Sequence, residues 1–154
     1  MCVEQSRRSE FCGTWGDIMA RVLIADDDTA FLETLSQLLE QAGHHVEGAL
    51  DGQLALGRAT SANFDVLVAD IVMPNMDGLE LIRTLHRQQP GLIMIAVSSS
   101  GGEGRGQDYL PAAATFGAAA TFSKRRIVEL PQAIEQLLAD RSHSRRPTLI
   151  AQAG

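Results

Sequence analysis

The sequence predicts an α/β fold, a doubly wound five-stranded parallel sheet with helices on both faces. Five short apolar runs are each bounded by turn residues, which is the pattern of strands buried on both sides. A segment with helical spacing of its apolar residues follows each run, so strands and helices alternate over about 120 residues. A chain of 154 residues accommodates one such domain with an ample core.

Spacing and turn residues assign the individual elements. The expected strands cover residues 22–25, 45–49, 66–69, 92–97 and 118–122. The first expected helix begins at Thr29, and the other four cover residues 54–59, 79–86, 109–116 and 128–139. Asp28 is placed to cap the first helix, and Gly43 suits its C-terminal end. Pro131 falls early in the last helix, where its missing N–H costs little.

The chain is expected to hold one domain between two polar ends. Residues 1–18 lack a sustained period and predict an N-terminal extension, which is either disordered or untranslated with Met19 as the true start. Residues 19–140 form the predicted domain, and residues 141–154 form a polar basic tail. The predicted domain carries sixteen acidic and eight basic residues, which argues against nucleic acid as its direct partner.

The cysteines and the hydropathy pattern bound the compartment. Cys2 and Cys12 are the only cysteines, so the body of the chain has no disulfide framework. No apolar stretch approaches the roughly 18 residues of a membrane-spanning helix, and the N-terminus lacks the apolar core of a signal peptide. We therefore expect a cytoplasmic protein without a membrane partner.

Polar side chains follow several of the predicted strands where phosphoryl chemistry on a carboxylate needs them. Asp26 and Asp27 come after the first strand, Asp70 after the third and Lys124 after the last. The carboxyl ends of parallel strands meet at one crevice, so we expect these side chains to converge. Lys124 is the only lysine beside twelve arginines, and a compact ammonium does not substitute for a planar guanidinium at a tight anionic site.

Each of these residues has a chemical role in such a site. Asp70 is the candidate nucleophile, because a carboxylate accepts a phosphoryl group to form an acyl phosphate when a cation neutralises the charge. Asp26 and Asp27 would hold that cation, and oxygen-only ligands suit Mg²⁺. Lys124 would pair with the phosphoryl oxygens. Ser98, the first polar residue after the fourth apolar run, would donate its hydroxyl to the same group.

The strings VLIADDD, DVLVADIVMPNMDG, AVSSSGG and FSK resemble the receiver domain of bacterial two-component response regulators. The resemblance covers about residues 21–139 and implies the flavodoxin-like receiver fold. It implies that Asp70 is the phosphoacceptor and that Ser98 is the switch hydroxyl. Lys124 would contact the phosphoryl group. The implied Mg²⁺ ligands are Asp26, Asp27, Asp70 and the backbone carbonyl of Val72.

The resemblance also implies a function. We expect a single-domain response regulator that takes phosphate from a sensor histidine kinase or a histidine phosphotransfer protein and signals by contact with a downstream protein. It would be a switch, not a dedicated enzyme. The alternative is a phosphatase of the haloacid-dehalogenase type with Asp26 as nucleophile. Residues 26–30 match its motif DxDx[TV] except at the last position, where alanine replaces threonine or valine. A receiver that binds partners without phosphorylation is a third possibility, and the complete set of acids, serine and lysine argues against it.

Three features depart from the usual pattern of that family. Arg125 follows the lysine where the family usually has a proline in a cis peptide, so we expect a trans bond here. Thr121 stands where the family often has an aromatic switch residue. Four of the six residues at 101–106 are glycine, which predicts a mobile loop that phosphorylation would order.

Overall fold

The computed structural model describes residues 19–99 and 110–145 of the chain. The predicted mobile loop at residues 101–106 and the predicted extension at residues 1–18 lie outside these described residues. Strands β1 to β5 are Arg21–Ala25, His45–Ala49, Val66–Asp70, Ile93–Ser98 and Ala120–Ser123. Helices α1 to α5 are Thr29–Gln41, Gly52–Ser61, Gly78–Gln88, Leu110–Phe116 and Leu130–Arg145, and a 3₁₀ helix, Lys124–Glu129, precedes α5.

The strands form one parallel sheet in the order β2-β1-β3-β4-β5, which confirms the predicted fold. The chain leaves the centre of the sheet in opposite directions after β1 and β3, which lie side by side with Ala25 opposite Ala69. That change of direction opens a crevice at the carboxyl ends of these two strands. The residues that follow β1 and end β3 therefore share one edge.

Alternating side chains of the central strands divide the core into two layers. Leu23 and Leu67 face a cluster formed with α2, α3 and α4, whereas Ile24 and Val68 face a cluster formed with α1 and α5. Successive side chains of a strand point to opposite faces of a sheet, so a continuous apolar run supplies both layers. Helices therefore cover both faces, as predicted. Within the described residues, no helix combines the length and hydropathy needed to cross a membrane.

Caps fix where the helices begin and end. Asp28 caps α1, since its Oδ1 accepts the N–H groups of Ala30 and Phe31 at 3.1 and 3.4 Å. Gly43 follows α1 with a φ of 97°, a left-handed conformation that glycine adopts without strain. Both predicted caps are confirmed. Pro131 occupies the second position of α5, where its missing N–H is harmless.

Most boundaries lie within one or two residues of those expected from the sequence, and the differences in β4, β5 and the last helix concern the site or the end of the domain. Strand β4 is shifted by one residue, so that it includes Ser98. Strand β5 begins at Ala120 and not at residue 118, because Gly117 and Ala118 still donate hydrogen bonds back to the end of α4. The last helix was expected at residues 128–139, but a 3₁₀ turn begins at Lys124 and α5 runs to Arg145. Beyond residue 140, the guanidinium of Arg141 donates to Asp65 and to the carbonyl of Gly91 at the amino end of the sheet.

Candidate functional site

The structure brings the predicted acids together at the carboxyl edge of the sheet. Asp26 immediately follows β1, and its N–H donates to Ala49 of the neighbouring strand at 3.0 Å. Asp70 is the last residue of β3. Carboxylate oxygens of Asp26, Asp27 and Asp70 all lie within 4.8 Å of one another. The convergence expected from the strand ends is therefore present.

Lys124 reaches into the centre of this cluster. Its Nζ lies 2.7 Å from Asp26 Oδ2 and donates a hydrogen bond to Asp70 Oδ2 at 3.2 Å. The lysine side chain is only 15% exposed. The bond between Lys124 and Arg125 is trans as predicted, since the described residues contain no cis peptide bond. The lysine therefore reaches the acids without the cis-proline turn that usually follows it in the family that the sequence resembles.

The backbone orients the two buried carboxylates. Asp26 Oδ1 accepts the N–H of Asp28 at 2.9 Å, and Asp70 Oδ1 accepts the N–H of Val72 at 3.4 Å. Each acid thus binds its own loop with one oxygen and faces the lysine with the other. This division leaves both Oδ2 atoms aimed at one point, where a cation is favoured.

The loop after Asp70 is held against α3 by a very close approach of the backbone. The N–H of Gly78 donates to Ile71 at 2.8 Å. A Cβ atom at position 78 would stand 2.1 Å from the carbonyl oxygen of Asp70, so only glycine fits there. Asp77 caps α3 by accepting the N–H of Glu80 at 2.8 Å. Asp77 and Gly78 thus open this helix, which explains how the loop stays fixed beside the site.

Burial and mutual repulsion perturb the electrostatics of the site. Burial, followed by the nearby charge of Asp26, raises the pKa of Asp70 to about 6, although Lys124 opposes this rise. Burial alone would lower the pKa of Lys124, but its contacts with Asp26 and Asp70 outweigh burial and raise that pKa. Lys124 therefore stays protonated at neutral pH, whereas the pKa of Asp70 lies just below neutral pH.

The donor set of the cluster suits a metal ion. Asp26 Oδ2 is fully buried, and beyond its contact with the ammonium no well-aligned hydrogen bond reaches it in the described residues. Oxygen donors from three carboxylates are the ligands that hard divalent cations such as Mg²⁺ prefer. A divalent ion would also relieve the repulsion that raises the pKa of Asp70. The residues present therefore fit the implied ion.

Two further predicted site residues, Ser98 and Val72, lie at the same edge of the sheet. Ser98 is buried as the last residue of β4, one position after Val97, which is the register partner of Asp70. Val72 lies two residues beyond Asp70, and its side chain is exposed. The switch role of the Ser98 hydroxyl and the metal role of the Val72 carbonyl stay predictions.

Sequence reasoning missed one residue at the site. Phe31 is not among the residues that the sequence assigns to the site. Its ring centroid instead lies 4.4 Å from Lys124 Nζ. A signal was available, because the first turn of a helix that follows the acid pair must lie at the same edge of the sheet as those acids.

The chain matches the family of response regulator receiver domains over residues 22–135. A response regulator receiver protein of Anaeromyxobacter sp. (strain Fw109-5) is 40% identical over 81 residues, which is 53% of this chain and 34% of that protein. The response regulator receiver protein CpdR of Brucella abortus (strain 2308) is 39% identical over 80 residues, 52% of this chain and 67% of that protein. The match thus spans between a third and two thirds of these relatives.

Solved structures give the same assignment. A CheY-like response regulator receiver domain protein from Methanospirillum hungatei JF-1 has a TM-score of 0.74 and 29% identity, covering 82% of this chain and 98% of that one. The response regulator TrrA from Thermotoga maritima, in complex with Mg²⁺-BeF, has a TM-score of 0.69 and 25% identity, covering 77% and 99%. The chain belongs to the family of response regulator receiver domains. This membership gives no support to the haloacid-dehalogenase alternative.

Proposed function

We propose that the domain is a phosphorylation switch in which Asp70 accepts a phosphoryl group. One observation carries this proposal. Asp70 ends a central strand with its Oδ2 bonded to the only lysine of the chain and with two further carboxylates within 4.8 Å. This arrangement combines a nucleophile, a fixed cation and ligands for a divalent ion at one point.

The transfer forms one bond to phosphorus and breaks another. A carboxylate oxygen of Asp70 forms a bond to phosphorus, and the bond between phosphorus and the donor breaks, which gives an aspartyl phosphate and a free donor. For a phosphohistidine donor, the electron pair of the P–N bond returns to the imidazole. Because the pKa of Asp70 is about 6, its carboxylate is largely ionised above pH 7 and needs no separate base.

The neighbouring groups stabilise the charge that develops. Asp26, Asp27, Asp70 and the Val72 carbonyl would hold Mg²⁺, which when bound supplies positive charge to the transferring phosphoryl group. The Lys124 ammonium lies 3.2 Å from Asp70 Oδ2 and is placed to meet a phosphoryl oxygen there. We assign the Ser98 hydroxyl as a further donor to that group, on its burial beside Asp70 in the register of the sheet.

We also propose the partners of the domain and the residues that it comprises. The donor is a sensor histidine kinase or a histidine phosphotransfer protein, and the phosphorylated form acts by contact with a downstream protein. Nucleic acid is not a proposed partner, since the predicted domain is acidic, and a membrane is not proposed as a partner either. The switch unit comprises residues 19–140, and its proposed location is the cytoplasm. Phosphorylation and loss of phosphate are its only proposed reactions, which makes it a switch and not a dedicated enzyme.

The test is incubation of the full chain with acetyl phosphate and Mg²⁺, followed by intact mass and peptide mapping. We expect one phosphoryl group per chain, located on Asp70 and dependent on Mg²⁺. Asp65→Asn is the matched control, because it removes a carboxylate of the same domain at the opposite end of the sheet, and it should still be labelled. The variant Asp70→Asn should take up none.

Two results would contradict the proposal. Labelling of Asp70→Asn at the wild-type stoichiometry would remove Asp70 as the acceptor. Phosphate mapped to Asp26 would instead favour the phosphatase chemistry. The TrrA relative was crystallised with Mg²⁺-BeF, and binding of the same complex to this chain offers a second measurement that does not depend on turnover.

A further inference from the structure

We propose that Phe31 is a positioning residue for Lys124, and that the face of its ring holds the ammonium beside Asp70. This inference rests on the proposed function, since the task of the ammonium is to meet a phosphoryl group on that aspartate. The observation is the 4.4 Å distance between Lys124 Nζ and the centroid of the Phe31 ring. A cation at that distance is attracted by the negative face of the ring.

The ring lies beside the ammonium together with the two buried carboxylates. Lys124 Nζ has Asp26 Oδ2 at 2.7 Å and Asp70 Oδ2 at 3.2 Å, and the ring is its third neighbour. The ammonium is largely shielded from water, which strengthens an interaction between a cation and a ring. Unlike a carboxylate, the ring offers no ligand to a divalent ion and carries no charge that would repel a phosphoryl group. It can therefore support the lysine before and after phosphorylation.

The position of the ring is itself fixed by a series of contacts that begins and ends at Asp26. Asp26 Oδ1 accepts the N–H of Asp28 at 2.9 Å, and Asp28 Oδ1 accepts the N–H of Phe31 at 3.4 Å. The Phe31 ring faces Lys124, and the lysine returns to Asp26 at 2.7 Å. Each member thus limits the movement of the next one. Phe31 also packs against the core layer beneath α1 and α5, which anchors its ring from below.

The lysine needs such a restraint in this chain. A lysine side chain has four flexible methylene groups, and ordering them costs conformational entropy. Arg125 follows in a trans peptide, so no proline stiffens the backbone at this point. The local backbone restraint is the N–H of Arg125 on Ser123 Oγ at 3.3 Å. The ring of Phe31 supplies from another helix the restraint that the following residue does not supply.

The single lysine makes the contact directly observable. Selective isotope labelling of lysine gives one side-chain signal, because Lys124 is the only lysine in the chain. We expect its ε-methylene protons to be shifted upfield by the ring in the wild type. Phe31→Tyr keeps the ring and should keep the shift, whereas Phe31→Leu should lose it. This readout needs neither metal nor phosphate.

The functional readout is the rate of labelling by acetyl phosphate with Mg²⁺. Phe31→Leu should slow labelling roughly 3- to 30-fold, the range expected for loss of a shielded contact between a cation and a ring. Phe31→Tyr should stay near the wild-type rate. Phe64→Leu is the matched control, since Phe64 is a buried ring 5.1 Å from the Arg21 guanidinium at the opposite end of the sheet. It should change stability without changing the rate or the lysine signal.

Rates are compared at a temperature where every variant is folded, and Phe31→Met serves as a second variant without a ring. An upfield shift that survives in both ring-free variants, or wild-type labelling rates in both, would overturn the inference. A wild-type protein that takes up no phosphoryl group would instead overturn the proposed function. The lysine signal would then still decide whether the ring holds the ammonium, so the two failures are distinguishable.

Discussion

The two ends of the sheet neutralise their acidic residues in different ways. At the amino end, Asp65 accepts the N–H of Arg21 at 2.9 Å and pairs with Arg141 at 3.2 Å. Glu47, in the middle of the neighbouring strand β2, pairs with Arg21 of that end and with Arg58 at 3.1 and 3.7 Å. At the carboxyl end, three carboxylates cluster, and two of them, Asp26 and Asp70, pair with the ammonium of Lys124. The acids of the first end are balanced by arginines, whereas the carboxylates of the second end outnumber the positive charge that contacts them.

Burial sharpens this difference. The side chains of Glu47 and Asp65 are 33% and 39% exposed, whereas those of Asp26 and Asp70 are 0% and 7% exposed. The buried titratable residue of the amino end is His44, and burial lowers its pKa, although Glu135 opposes this effect. His44 therefore favours the neutral form, and its Nδ1 accepts the N–H of Ala20 at 3.2 Å. Uncompensated negative charge is thus concentrated at the carboxyl end, where a divalent ion and a phosphoryl group would act.

Removal of the central cation should have the largest effect. Lys124→Met leaves buried carboxylates without a partner, and breaking a buried ion pair by removing one member costs about 3 to 5 kcal/mol. We expect the free energy of unfolding to fall by about that amount at pH 8 without divalent ions. Urea denaturation measures it. Mg²⁺ should recover part of the loss, because the ion replaces the missing positive charge.

A loss below about 1 kcal/mol, the range of exposed ion pairs, would mean that the lysine is no more important than the arginines of the amino end. Denaturation of the same variant at pH 4 is the internal control. Asp70 is protonated at that pH, since its pKa is about 6, and the cost of removing the ammonium should be smaller there.

Neutralising Asp70 should have the opposite sign. Because its pKa is raised from 3.8 to about 6, the folded protein binds the proton more tightly than the unfolded chain does. The stability that this proton contributes is complete below pH 3.8 and is lost as the pH rises to about 6. Asp70→Asn cannot ionise, so it should be more stable than the wild type by about 2 to 3 kcal/mol above pH 6, without divalent ions. Denaturation at pH 4 and pH 8 checks this.

Asp65→Asn is the comparison at the amino end. Asp65 accepts hydrogen bonds from Arg21 and Arg141, so its neutral variant should gain nothing at pH 8. Equal gains from the two variants would show a general effect of net charge, which would remove the difference between the ends. A gain for Asp70→Asn that persists at pH 4 would rule out relief of ionisation as its cause.

Mg²⁺ should stabilise the wild type by a smaller amount. An ion that binds only the folded protein contributes roughly 1 to 3 kcal/mol at about ten to one hundred times its dissociation constant. Thermal unfolding with and without Mg²⁺ measures this effect. Asp27 is exposed, so Asp27→Asn should leave the metal-free stability nearly unchanged and weaken the response to the ion. Asp140→Asn, an exposed acid of α5, should respond like the wild type. A wild-type melting temperature that does not move with Mg²⁺ would contradict the metal assignment.

The sequence predicted those parts of the molecule that follow from local pattern. The apolar runs specified a parallel sheet, and the polar residues after them specified which side chains share its carboxyl edge. Asp28 and Gly43 were interpreted correctly, because capping depends on residues a few positions apart. The contacts of Lys124 with Asp26 and Asp70 agree with the prediction that these strand ends meet at one edge.

Contacts between distant segments were not available to that reasoning. The ring of Phe31 reaches Lys124 from another helix, and an apolar stripe alone does not tell which of its members faces a cation. The raised pKa of Asp70 depends on burial as well as on charge, and burial is a property of the packed fold. The contacts of Arg141 in α5 with Asp65 and with the carbonyl of Gly91 likewise join segments that are far apart in the sequence.

The smallest expected effect belongs to the amino end. Arg141 donates to Asp65 Oδ1 at 3.2 Å and to the carbonyl of Gly91 at 3.3 Å, and its side chain is 26% exposed. Asp65 keeps its bond from the N–H of Arg21 when Arg141 is removed, so no buried acid loses its only partner. Arg141→Met should therefore cost at most about 1 kcal/mol, and the cost should shrink in high salt because the pair is partly solvated. Urea denaturation at low and high ionic strength measures it. A loss above about 2 kcal/mol that salt does not reduce would place the amino end on the same footing as the site, and would require the switch unit to extend beyond residue 140.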